Sequence, residues 1–210
     1  MTLPAATADT ARPDCTLTEF AFAPAQADQL LARLLHEISW QQEWAQVFGR
    51  RVPLPRLVAW HGEPGAVYRY SGLIHTPLAW TPLLSLLKAR AEDLAATGFN
   101  SVLLNLYRNG EDAIGWHSDD EPELGPRPVI ASLSFGATRR FRFKSRPPLP
   151  PLACEYTLTH GSCLVMRNDC QALWRHSIPR QRNIDTPRVN LTFRTIVATG
   201  AGPALSVRHE

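Results

Sequence analysis

Seven residues near the C-terminal end, Arg188-Val189-Asn190-Leu191-Thr192-Phe193-Arg194, constrain the fold more than any other stretch. Apolar and polar residues alternate strictly there, as in a β-strand whose successive side chains leave on opposite faces. Val189, Leu191 and Phe193 belong to a core on one side. Arg188, Asn190, Thr192 and Arg194 share the other. A guanidinium keeps its proton even when buried, so two of them on one inward face demand an anion. A small dicarboxylate would answer both, with one forked contact at each end.

The rest of the chain divides by periodicity. Pro24 followed by Leu30, Leu31, Leu34, Leu35 and Ile38 has helical spacing with proline in the first turn. Thr81-Pro82 opens a second helix, capped by Thr81, with Leu83, Leu84, Leu87, Ala91 and Leu94 on one face and Gly98 as its stop. From Ser101 onward short strands take over: Ser101–Tyr107, Val129–Phe135, Arg139–Phe143, Gly161–Met166 and Arg188–Val197. A proline-rich loop, Arg146–Pro151, separates two of them. Helices packed on a later set of short strands predict an α+β fold, with a sandwich or barrel as the strand half. Residues 1–15 read as a flexible N-terminal tail, residues 16–198 as a single domain and residues 199–210 as a C-terminal tail.

Composition sets outer limits. A chain of 210 residues with 44% hydrophobic content suffices for one domain with a sizeable core. A net charge of +3 permits nucleic-acid binding without demanding it. Cys15, Cys154, Cys163 and Cys170 lack CxxC spacing and read as free thiols. No apolar run is long enough to span a bilayer, and the N-terminus lacks a basic region followed by an apolar stretch. The expectation is a cytoplasmic monomer with no membrane partner.

His117-Ser118-Asp119 and the distant His176 carry the chemistry. On an extended segment His117 and Asp119 project to one side, and His176 can meet them from another strand. Two neutral imidazoles and a carboxylate suit Fe(II) and leave coordination positions open. An isolated HxD also reads as a chance surface tripeptide; the paired-arginine strand twelve residues after His176 raises it above that. Asn105 and Tyr107 share a strand face, where a carboxylate could accept from both; the other reading is a face that meets solvent. His160 reads as a turn residue. Trp174 reads either as a shield for the iron or as ordinary core.

These pieces together resemble the AlkB family of Fe(II)/2-oxoglutarate-dependent dioxygenases. The likeness runs through Asn105-Leu106-Tyr107, His117-Ser118-Asp119, His176 and Arg188–Arg194, and covers roughly residues 45–197. It implies a double-stranded β-helix (jelly-roll) core with the N-terminal helices packed on it. It implies His117, Asp119 and His176 as iron ligands, and Asn105, Tyr107, Arg188, Asn190 and Arg194 around 2-oxoglutarate. Arg188 takes the distal carboxylate, and Arg194 lies near the metal end. The reaction implied is oxidative demethylation of N-alkylated bases of the 1-methyladenine and 3-methylcytosine type in DNA, using Fe(II), 2-oxoglutarate and O2. No residue beyond the metal ligands is expected to be catalytic.

Local features are similar to the branch that repairs double-stranded DNA. Val47-Phe48-Gly49-Arg50 resembles its finger loop, with Phe48 as a wedge or, equally, a core residue. Tyr68-Arg69-Tyr70 looks like the lid strand, with Tyr68 and Tyr70 stacking on a flipped base. Asp120 and Glu121 could favour a cationic methylated base, or form a solvated acidic turn. Arg139, Arg140, Arg142, Lys144 and Arg146 offer phosphates a basic strand and loop. The longer basic loop of the double-strand enzymes is replaced here by the short Arg146–Pro151. RNA or protein as substrate, and a non-catalytic nucleic-acid-binding jelly roll, are the competing readings.

Overall fold

The computed structural model describes residues 11–47, 49–66, 68–70 and 73–197, with backbone alone for residues 47, 68–70 and 73–75. Its first half carries β1 (Cys15–Thr18), α1 (Pro24–Glu37), β2 (Trp44–Val47), β3 (Arg50–Pro53), β4 (Leu57–Gly62), β5 (Tyr68–Tyr70), β6 (Leu73–His75) and α2 (Pro82–Ala95). The second half carries β7 (Ser101–Tyr107), β8 (Ile114–His117), β9 (Ile130–Gly136), β10 (Arg139–Ser145), β11 (Ala153–Leu158) and β12 (Ser162–Met166). A single turn, α3 (Cys170–Leu173), leads into β13 (Trp174–Ile178), and β14 (Arg188–Arg194) closes the fold.

Two antiparallel sheets face each other. The larger has the order β1-β12-β9-β14-β7-β4 and the smaller β11-β10-β13-β8. Period-two alternation splits the larger sheet into two chemistries. Its outer face gives Val102, Leu104, Leu106, Leu133, Phe135, Val189, Leu191 and Phe193 to a core shared with Leu30 and Leu34 of α1 and Leu83, Leu84, Leu87 and Ala91 of α2. Its inner face meets a second cluster built on the smaller sheet, with Phe141, Phe143, Trp174 and Ile178. This is the expected jelly roll, with the helices packed on the outside of one sheet.

The helices start as their sequences dictate. Pro24 and Pro82 occupy first-turn positions, and Thr81 Oγ1 accepts from the Leu84 N–H at 3.2 Å. The end of α2 differs from expectation. Ala96, not Gly98, takes the left-handed conformation, and Gly98 lies beyond the helix. Strand limits shift by one or two residues, and β14 stops at Arg194 rather than Val197. Strands β1 to β4 and β11 were not anticipated, whereas β8 ends at His117 of the segment read as extended and β13 is the separate strand expected to bring in His176. β1 begins at Cys15, the last residue of the stretch expected to be a tail, and pairs with β12.

Candidate functional site

Register brings the inward residues together. On the larger sheet Arg188 pairs with Tyr107 across the β14–β7 ladder, and Asn190 pairs with Asn105. On the smaller sheet His176 of β13 pairs with His117 at the end of β8. Between the sheets lies a cavity of about 120 Å³ lined by all of these, together with Asp119, Thr192, Arg194 and Glu121. Leu103, Ile114, Phe141, Met166 and Ile178 supply apolar wall. Buried polar groups converging on a concave, partly apolar space make a ligand site.

The ligand atoms of His117, Asp119 and His176 lie within 4.8 Å of one another. His117 Nδ1 contacts the Gly115 carbonyl at 2.9 Å, which leaves Nε2 to face the cluster. The ring of His176 stacks on Phe141 at 5.1 Å and is edged by His117 at 4.3 Å. Burial, aided by His117, pushes the His176 pKa down to about 3 against the opposing pull of Asp119. The imidazole is therefore neutral at ordinary pH, the form a metal needs. Burial would raise Asp119, but Arg194 and then the two histidines outweigh it and hold the carboxyl below its usual range. Arg194 Nη2 donates to Asp119 Oδ1 at 2.6 Å, both side chains being buried. The Gln171 side-chain oxygen accepts from the Asp119 N–H at 3.0 Å and fixes the backbone beside the carboxylate. A neutral buried imidazole, a second histidine and an ionised carboxylate converging in one pocket fit Fe(II).

Opposite this cluster Arg188 faces the cavity with unspent donors. Arg188 is fully buried, donates Nη2 to Ser134 Oγ at 2.8 Å, and has no partner for Nε or Nη1 among the described residues. Burial pulls its pKa down to about 10, so it stays cationic at neutral pH. An uncompensated buried guanidinium is costly, so a carboxylate ligand is what this position lacks. The Tyr107 ring lies between Arg188 at 5.3 Å and Arg139 at 5.4 Å. Tyr107 is buried, which removes the solvent-facing alternative.

Other expectations are redrawn. Arg139 does not face phosphates: it is fully buried and donates to the carbonyls of Asn109, Asp112 and Pro179. It shares its strand face with Phe141 and Phe143 and not with Arg140, Arg142 and Lys144. Arg142 pairs with Glu155 at 2.8 Å. Arg146 donates to Asp120 at 2.7 Å and to Ser118 Oγ at 3.0 Å, so Asp120 is already paired. Glu121 lines the cavity, and its Oε2 is buried with no partner among the described residues. Trp174 packs on Phe143 at 6.4 Å as core. His160 Nδ1 accepts from the Gly136 N–H, consistent with a turn residue. Asn190 spends its amide within the protein: Nδ2 donates to Ser132 Oγ and the Leu133 carbonyl, and Oδ1 accepts from Thr192. Phe48 and the side chains of Tyr68 and Tyr70 lie outside the described residues.

Sequence reasoning missed four contributors. Ser132 and Ser134 had a signal, because Ala131-Ser132-Leu133-Ser134-Phe135 alternates with small polar residues on the inner face. Gln171 and Arg56 had none, since each reaches the site from outside a patterned strand. Arg56 is buried just before β4 and donates Nε to Asn105 Oδ1 at 2.8 Å.

Two facing antiparallel sheets with a His–Asp–His cluster and buried arginines between them define the double-stranded β-helix oxygenase class. The comparisons agree. A sequence model of the 2OG-Fe(II) oxygenase superfamily matches residues 14–194. Alpha-ketoglutarate-dependent dioxygenase alkB homolog 3 of Mus musculus is 44% identical over 81% of this chain. DNA oxidative demethylase ALKBH2 of Mus musculus is 41% identical over 85% of this chain and 78% of its own length. The solved structure of OsALKBH1 superposes with a TM-score of 0.63 at 17% identity, covering 88% of this chain and 97% of that one. The chain therefore belongs to the 2OG-Fe(II) oxygenase superfamily, within its AlkB family. It spans 62% of the length of the alkB homolog 3 relative. Likeness to alkB homolog 3 extends the resemblance beyond the double-strand branch suggested by the finger motif.

Proposed function

We propose that this chain is a Fe(II)/2-oxoglutarate-dependent dioxygenase that removes N-linked methyl groups from bases of the 1-methyladenine and 3-methylcytosine type in DNA. One observation carries the reading: His117, Asp119 and His176 cluster in the cavity into which the buried Arg188 turns unpaired donors. Residues 16–198 form the proposed catalytic domain.

His117, Asp119 and His176 would hold the iron. The metal with 2-oxoglutarate and O2 supplies C–H oxidation of the N-methyl group, with succinate and CO2 as the other products and formaldehyde leaving from the hydroxylated methyl. Arg188 binds the distal carboxylate of the co-substrate through a forked contact. Tyr107 and Asn105 frame the same ligand. Arg194 keeps Asp119 ionised and oriented. Leu103, Met166 and Ile178 keep the space dry. Glu121 favours the cationic methylated base, a role its unpartnered Oε2 supports better than the paired Asp120 does. Phe48 acts as the base-displacing wedge, and Tyr68 and Tyr70 stack on the flipped base.

Mass spectrometry of oligonucleotides carrying one 3-methylcytosine tests the reading, single-stranded and duplex, with Fe(II), 2-oxoglutarate and ascorbate in air. Loss of one methyl mass, absent in His117→Ala, is expected. Consumption of 2-oxoglutarate without methyl loss would move the substrate to RNA or protein. Neither event in the iron-loaded protein would leave a binding module.

A further inference from the structure

Arg56 is a buried cation on the wall of the cavity, and its side chain donates to Asn105, 49 positions away. The bond is directional in an informative way. A guanidinium carries five donors and no acceptor. Asn105 can therefore meet it only with its oxygen, and Arg56 Nε does donate to Oδ1 at 2.8 Å. The Asn105 NH2 group is thereby turned away from Arg56, and none of the described residues takes a hydrogen bond from it. The opposite amide orientation would set NH2 against guanidinium and leave Oδ1 to repel an incoming carboxylate.

The neighbouring amide cannot substitute. Asn190 sits directly across the β7–β14 ladder, and both its donors are committed, to Ser132 Oγ at 2.8 Å and to the Leu133 carbonyl at 3.0 Å. Of two asparagines side by side on the inner face, only Asn105 keeps donors for a ligand, and Arg56 decides which way they point.

We propose that Arg56 is a positioning residue that locks the Asn105 carboxamide with its NH2 group toward the co-substrate carboxylate. The inference rests on the reading of this cavity as the 2-oxoglutarate site. It also predicts which replacements are tolerated. Lysine donates only and preserves the lock, whereas glutamine both donates and accepts and so permits either amide orientation.

The test is calorimetric binding of 2-oxoglutarate to the full chain loaded with Mn(II), without turnover, alongside Mn(II) affinity and thermal unfolding of each variant. Asn105→Ala is expected to weaken 2-oxoglutarate roughly tenfold. Arg56→Gln should lose a similar factor, Arg56→Lys should stay within about threefold of the parent, and Mn(II) affinity should not change. The double variant Arg56→Gln with Asn105→Ala should bind no more weakly than Asn105→Ala alone. Arg56→Met replaces the glutamine variant if that does not fold. Parent-like binding by the glutamine or methionine variant, multiplied losses in the double variant, or a lysine variant weaker than the glutamine one would overturn the proposal while the site reading stands. Parent-like binding by Asn105→Ala would instead overturn the role of Asn105 in the site reading, and the proposal with it.

Discussion

At the scale of single residues the site is a problem of charge placed out of water. Arg188 and Arg194 occupy the same strand face but are satisfied differently. Arg194 has the Asp119 carboxylate at 2.6 Å, whereas Arg188 meets the Ser134 hydroxyl and Tyr107 and, among the described residues, no carboxylate. Truncating each should therefore read out differently. Arg188→Met is expected to raise the KM for 2-oxoglutarate by about 100-fold, the loss of ~3 kcal/mol typical when one partner of a desolvated charge contact is removed. The KM for the oligonucleotide should hold, and Arg188→Lys should recover only part of the loss because it cannot fork. Arg194→Met strands a buried carboxylate, so the metal-free protein should lose about 3 kcal/mol of stability. Bound Mn(II) would compensate Asp119, so the drop in unfolding midpoint should be smaller in the loaded protein. Equal drops in both forms would show that Asp119 does not face the cation.

At the scale of elements the two faces of the larger sheet have separate jobs, and substitutions can address one without the other. Thr81 caps α2 on the outer, apolar side. Thr81→Ala should cost ~1 kcal/mol in urea unfolding and leave 2-oxoglutarate affinity unchanged. Gly136 ends β9 at a φ of +90°, and a Cβ there would run into the Pro187 carbonyl oxygen just before β14. Gly136→Ala should therefore cost several times the Thr81→Ala loss, and it should weaken co-substrate binding too, because Arg188 is the next residue. The same division explains what was legible in the sequence. The helices announced themselves through proline, the Thr81 cap and a 3.6-residue period, and β7, β9 and β14 through alternation over seven residues each. Strands β1 to β4 are short and their alternation is weak, so local pattern could not separate them from loop. Tyr107, Arg188 and the three metal-ligand candidates were readable as chemistry. Arg56, Gln171 and the commitment of Asn190 were not, because they depend on which strands become neighbours. The burial of Arg139 was readable in part, since it falls on the Phe141–Phe143 face of β10.

At the scale of the whole molecule, the fold pays for a polar interior with an apolar exterior layer. The core between the larger sheet and the helices is continuous, whereas the space between the sheets holds His176, Asp119 and three buried arginines around a cavity. Its pH response should follow from His176. The unfolded chain binds a proton at this residue near pH 6.5, and the folded chain does so only at about pH 3. Between those values the unfolded state carries more protons, so stability rises with pH across the window and falls as the solution is acidified. The contribution is fully present above about pH 6.5 and is lost progressively toward pH 3. Asp119 and Asp112 are also held low, the former by Arg194 and the histidines and the latter by Arg108. Their contributions act in the same direction but fade only below the usual carboxylate range, so the interval from pH 6.5 to 5 isolates the imidazole. Urea unfolding of the metal-free chain is expected to show little change above about pH 6.5 and a steady loss of stability from there to pH 5. His176→Gln should flatten that slope, because a neutral amide replaces the titrating ring. A parent slope matched by His176→Gln would assign the acid sensitivity to other groups and place His176 in a wetter environment than the space between the sheets.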